Sequence, residues 1–145
     1  MGHPTIYPTG VTVYNPEKCW NGFTIFQALE VGAVLMNMNG RENKVWKGVH
    51  GFPNKIFPGG YLMTSRGSRD GRYGVQDGLD LVQIDWDGNV VWKFDRNEYI
   101  EDPGIPGRWM ARSHHDYQRE GSTTGYYAPG MEPKTDSGNT LVAGT

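Results

Sequence analysis

Residues 79–95, LDLVQIDWDGNVVWKFD, hold two short apolar runs on either side of a tight turn. Leu81, Val82, Ile84 and Trp86 lead in; Val90, Val91, Trp92 and Phe94 lead out. Both runs are rich in β-branched and aromatic residues, which pack well on a pleated surface, so they predict strands. Asp87-Gly88 between them is a hairpin signal. A type I′ turn needs positive φ at both central residues, and glycine accepts that without steric cost. Apolar and polar residues alternate only in part, which predicts a sheet buried on both faces, stacked between others.

The hairpin recurs. In VLMNMNGRENKVWK (34–47), Met38-Asn39-Gly40 answers Trp86-Asp87-Gly88 at an offset of 48 residues (40 to 88). Val45-Trp46-Lys47 answers Val91-Trp92-Lys93 at 46 (46 to 92), so the earlier turn is expected to carry two extra residues. His50 ahead of PGGYLM (58–63) is matched by His115 ahead of SGNTLV (137–142). A period of about 46 residues with four short strands per unit is that of β-propeller blades. One blade cannot cover its own apolar faces, so neighbours stack on it. Trp46 and Trp92, at one repeat position, are expected in the core between units rather than in an aryl-binding stack.

Glycine and proline total 30 (21 plus 9), which favours turns and short strands over long helices. The expected fold is all-β: antiparallel β-propeller blades, about two and the start of a third of a six-bladed propeller. Residues 1–22 would be an N-terminal edge segment with a strand at Gly10–Tyr14. Residues 23–65 would be the first blade unit, and 79–145 the second and the start of a third. Residues 66–78 are expected as an exposed loop, 96–113 as an irregular connection and 118–136 as a long loop. Six blades need about 270 residues, so the chain is expected to be the N-terminal portion of a longer protein. The alternative is a small β-domain whose repeats pack on each other or on a second copy. Open blade edges invite pairing, so a homo-oligomer is one expected state.

Net charge is −2 with no basic stripe, which gives nucleic acid no footing. Cys19 stands alone, so no internal disulfide forms. The longest apolar-leaning run, residues 25–36, is broken by Glu30 and Gly32 and is too short to span a bilayer. The N-terminus has neither basic head nor apolar core, so a cytoplasmic location is expected, or a periplasmic one if the terminus is processed.

Ser113-His114-His115-Asp116 is the segment richest in chemistry. Imidazole transfers protons, binds metal or acts as nucleophile, and a neighbouring carboxylate can fix its tautomer. On a strand His114 and His115 point to opposite faces, so at most one would line a given pocket. No metal is expected: adjacent histidines chelate poorly, and no cysteine, third histidine or second carboxylate stands at ligand spacing. The histidines are either structural or pocket-lining. His50 is read as a rim histidine bonded to the Pro53 or Pro58 turn, or as part of a pocket. Arg112 and Arg119 flank the histidines; a pocket with both residue types would suit sulfate or phosphate. Gly59-Gly60 is a turn rather than a phosphate loop, since no lysine and no helix follow.

HGFPNKIFPGGYLMTS, DLVQIDWDGNVVWKFD and HHDYQREG followed by GNTLVAGT together resemble the N-terminal part of the bacterial arylsulfotransferase family, whose donor is not phosphoadenosine-based. The resemblance runs from about Gly10 to Thr145. It implies a six-bladed propeller with a central funnel. It also implies sulfuryl transfer from an aryl sulfate ester to a phenol through a sulfurylated histidine, with no organic cofactor and no metal. In that pattern His115, or else His114, is an assisting catalytic group that binds the sulfuryl or phenol oxygen. Arg112 and His50 are the further substrate-binding candidates. The nucleophilic histidine belongs to later blades, so this chain would supply only part of the site and be inactive alone. The competing reading is a non-catalytic β-repeat that binds a partner or self-assembles.

Overall fold

A computed structural model describes residues 11–51, 53–68, 72, 77–94, 96–111, 113–120 and 138–144. Twelve strands among the described residues form four antiparallel sheets, none closed on itself. Sheet 1 is a meander of β1 (Phe23–Ala28), β2 (Gly32–Asn37) and β3 (Glu42–Trp46). Sheet 2 runs β4 (Lys55–Phe57), β5 (Tyr61–Thr64), β7 (Leu81–Ile84) and β8 (Val90–Phe94). Sheet 3 joins β6 (Asp77–Gly78), β11 (Ser113–Arg119) and β12 (Thr140–Gly144) in the order β12-β11-β6. A separate hairpin pairs β9 (Glu98–Asp102) with β10 (Ile105–Met110). Among the described residues no helix is long and apolar enough to cross a membrane.

Sheet 2 lies between the other two, as its apolar pattern requires. Leu62, Val82 and Ile84 pack against Ala33, Leu35 and Trp46 of sheet 1. Their neighbours Met63 and Leu81 point the other way, onto Tyr117 of sheet 3. All four residues of β7 are buried. Each fully buried side chain of this size contributes about 1.5–3 kcal/mol, so a β7 with either face open to water would forfeit most of its stabilisation. Trp46 closes the seam between sheets 1 and 2: its indole Nε1 donates to the Asp85 carbonyl at 3.2 Å, and Trp86 meets its ring edge-on at 5.3 Å.

The two hairpins repeat, but at one offset. Leu35 pairs with Lys44 and Met36 with Glu42; Gln83 pairs with Trp92 and Ile84 with Val90. Both skip one residue at the same place, Asn43 and Val91, so 48 residues separate every equivalent pair and neither turn is longer. Trp46 therefore corresponds to Phe94, and Trp92 to Lys44. A slip of two residues on a strand keeps the same face, which is why the two tryptophans match in sequence without matching in space.

The turns are also corrected. They are three-residue loops with one positive φ each, at Gly40 (76°) and Gly88 (93°), not type I′ turns. A side-chain oxygen holds each: Asn37 Oδ1 accepts from the amides of 39 and 41, and Asp85 Oδ1 from those of 87 and 89, all at 2.8–3.0 Å. Bonds from the side chain and backbone of Asn89 hold the Asp85 carboxyl below the usual aspartate value.

Several other expectations change. Val11–Tyr14 form no strand, and Gly10 lies outside the described residues. Residues 96–113 hold the β9–β10 hairpin, turning at Pro103-Gly104, where Gly104 has φ 79°. Pro106 is accommodated by a register shift between Ile105 and Arg108. The last two residues of the loop expected exposed, Asp77 and Gly78, are buried in β6. Tyr61–Thr64, grouped by the repeat with the first unit, pairs with β7 in sheet 2.

Trp46→Ala is expected to cost about 3–5 kcal/mol in urea denaturation, from lost burial and the cavity left behind. Trp109→Ala, at a residue 64% exposed, should stay within about 1 kcal/mol of wild type. Because the Asp85 carboxyl is depressed in the fold, its contribution is present above the ordinary aspartate value and is lost as pH falls through the folded value. Asp85→Asn should keep the turn, as Asn37 does, and flatten part of the stability loss measured as pH falls below the ordinary aspartate value.

Candidate functional site

The central feature is a bulge in β11. Ser113 pairs with Gly144 and Tyr117 with Val142, so His114, His115 and Asp116 span what Ala143 alone spans on β12. His115 takes up the extra length with φ 70°, in the left-handed region. For a side chain other than glycine that conformation costs about 1–2 kcal/mol, and such strain gathers at functional segments. Its effect is to break strand alternation. His114 and His115 do not point to opposite faces: both line one cleft, with ring centroids 5.4 Å apart and planes at 50°.

His50 joins them on the same cleft. Its backbone N–H donates to the Ser65 carbonyl at 2.6 Å, which places the 49–54 connection beside the end of β5. A polar chain holds that connection. Thr64 Oγ1 donates to Asn54 Oδ1 at 2.6 Å, Asn54 Nδ2 to Gln27 Oε1 at 2.9 Å, and Gln27 Nε2 to the Val49 carbonyl at 3.0 Å. The exposed His50 imidazole bonds neither the Pro53 nor the Pro58 turn among the described residues. The Pro53 carbonyl faces the Tyr117 hydroxyl instead, at 2.7 Å. His50 and His115 also prove not to be repeat equivalents. One precedes the edge strand β4, and the other lies within β11, the middle strand of sheet 3.

Asp77 supports the cleft from below. Its carboxylate Oδ1 lies 2.5 Å from His114 Nδ1, and the two residues are register partners between β6 and β11. Asp77 is buried while His114 is half-buried, so the ring is held from the inside and faces outward. Gly78 permits this approach: a Cβ there would lie 2.7 Å from Ser113 Oγ. Asp116, the carboxylate adjacent in sequence, turns away to Lys55 at 2.6 Å, and that bond holds its carboxyl below the usual value. Lys55 also donates to the Tyr117 carbonyl and stands 4.9 Å from that ring's centroid. Burial pushes the Tyr117 phenol far above its ordinary value, so it is a neutral structural donor here.

Arg112 lies outside the described residues. Arg119 does not reach the cleft. It is buried between sheets 2 and 3, over the Trp92 ring at 4.3 Å, bonded to Gln83 Oε1 and to Thr140 Oγ1 at 3.2 Å. Among the described residues no group of three or more His, Cys, Asp or Glu is arranged to hold a metal ion. The cleft's volume of ≈ 30 Å³ admits a water-sized or small anionic group, while anything larger must stand in its mouth. Asp77 was missed because it lies near the end of a glycine-rich polar stretch; the available signal was its place shortly before the strand pattern that begins at Leu79.

The chain matches no protein-family profile, no curated protein and no solved structure.

His115→Gly is expected to leave urea stability within about 1 kcal/mol of wild type, since glycine adopts this φ freely. His115→Val should lose about 1–2 kcal/mol or more, because a β-branched side chain resists it. Equal stability of the two variants would contradict the strained bulge.

Proposed function

We propose that the cleft is part of an aryl-sulfate sulfotransferase site, in which a sulfuryl group passes from an aryl sulfate ester to a phenol through a sulfurylated histidine. The carrying observation is the convergence of His50, His114 and His115 on one cleft, with a buried carboxylate behind His114. Imidazole nitrogens aimed at one small volume suit the oxygens of a sulfuryl group, on which charge builds as the ester bond breaks. A half-buried His114 can donate a proton to the departing phenolate and take one from the incoming phenol. In this reading His115 and His50 hold sulfuryl oxygens, Arg112 is a further candidate for that task, and the nucleophilic histidine is none of the three. The cleft's small volume fits that division: these residues grip the sulfuryl end, and the aryl group sits outside.

The finer fold reading belongs to the same proposal. Three stacked antiparallel sheets, with one hairpin recurring at 48 residues in the first two, are what successive propeller blades would present.

A second reading, a self-assembling β-repeat, is favoured by apolar surface near the outer strands. Phe23 at the start of β1, Leu29 just past its end and Leu141 on β12 are 63, 85 and 77% exposed. Such surface marks association sites when it is contiguous.

Release of 4-nitrophenolate from 4-nitrophenyl sulfate in the presence of a phenol tests the first reading. His114→Gln should lower transfer by about 10²-fold or more. If the full-length protein transfers nothing, and histidine substitutions leave aryl sulfate binding unchanged, the enzymatic reading fails. Light scattering separates the second: a strictly monomeric chain removes it.

A further inference from the structure

We infer that Asp77 is a positioning residue, which fixes His114 in the Nδ1–H tautomer and so makes Nε2 the atom this imidazole presents to the cleft. The inference deepens the sulfuryl-transfer reading for its catalytic meaning, but the tautomer itself stands on geometry alone. An ionised carboxylate only accepts hydrogen bonds, so a nitrogen 2.5 Å from Asp77 Oδ1 carries the proton. A neutral imidazole has one N–H, so Nε2 then keeps its lone pair.

The strand β6 is built around this contact. It is two residues long and inserts between the second and third strands of sheet 2 in chain order, yet it pairs in sheet 3. Its two pairings set Gly78 opposite Ser113 and Asp77 opposite His114. Ser68 bridges Gly78 from the other side. Asp77 is 4% exposed, so the carboxylate is fixed by its surroundings. The neighbouring ring, His115, is turned by its left-handed backbone to the same cleft without displacing His114 from Asp77. A buried carboxylate on Nδ1 that orients an imidazole for work at Nε2 is a recurring arrangement in acid–base sites. Without it the ring would be free to flip or to move its proton between the two nitrogens, and Nε2 would no longer be held as the one atom that gives and takes the proton at the cleft.

Long-range 15N–1H correlation spectra of the full chain, labelled at the imidazole nitrogens, test the assignment. His114 is identified by the signals lost in His114→Gln. In the wild type neutral His114 is expected in one tautomer, protonated at Nδ1, with Nε2 bare. Asp77→Ala is expected to convert it to a mixture in which Nε2–H prevails, and to lower kcat for aryl sulfate transfer by roughly 10²-fold with little change in KM. Neutral wild-type His114 protonated at Nε2, or an Asp77→Ala tautomer identical to wild type, overturns the inference. If Asp77→Ala does not fold, Asp77→Asn keeps the volume, and the wild-type spectrum already decides. A full-length protein that shows the Nδ1–H tautomer but no transfer removes the sulfuryl-transfer reading and retains Asp77 as the residue that orients His114.

Discussion

A sheet that is apolar on both faces cannot stand in water, and sheet 2 is such a sheet. Leu62, Val82 and Ile84 demand a cover on one side; Met63 and Leu81 demand one on the other. The chain supplies both covers from its own flanking segments. Everything else in the architecture follows from that demand: Trp46 sealed over the first seam, Arg119 laid on Trp92 in the second, and connections forced to run around the strand ends. Buried Gln83 is tolerated in the second seam because Arg119 bonds its carbonyl oxygen. An unpartnered amide at that depth would cost about 1–3 kcal/mol.

The histidine cleft is a by-product of those connections, refined by local geometry. The 49–54 segment must step from sheet 1 to sheet 2, and it brings His50 to the end of β5. Next, the chain between β5 and β7 detours into sheet 3 and leaves Asp77 beside β11. Finally, two extra residues on β11 fold outward, and His115 accepts a left-handed backbone. The resulting strain is local and affordable, because Tyr117 and Arg119 anchor the rest of β11 in the interior. A rigid scaffold with one strained segment aimed at a cleft is how a fold holds reactive side chains in a fixed relation.

The chemistry-bearing segments could be read in the sequence; the way they meet could not. Leu81 and Val82, adjacent apolar residues that break the alternation, announced burial on both faces, and the structure has that burial. Paired loops with glycine at 40 and 88 announced a repeat. Its phase was misjudged by two residues, since Val-Trp-Lys recurs at 46 while the backbone recurs at 48, and period-2 strands conceal such a slip. His114 and His115 stood out, but alternation assigned them to opposite faces. Only a bulge, which has no dependable sequence signature, could bring them together. Asp77 was hidden for a different reason: its partner lies 37 residues away on another strand of the same sheet, and a long-range pairing leaves no trace in local composition.

Amide hydrogen exchange tests the stacking of sheet 2 most directly, because protection follows burial and cooperative opening rather than sequence pattern. If sheets 1 and 3 cover it on both sides, the amides of Leu62, Met63, Val82, Gln83 and Ile84 exchange slowest of all, in one cooperative unit. Those of residues 98–109 in the β9–β10 hairpin, where every strand residue is exposed or half-buried, exchange far faster. Protection of β5 and β7 no greater than that of β9 and β10 would contradict the stack on which the cleft depends.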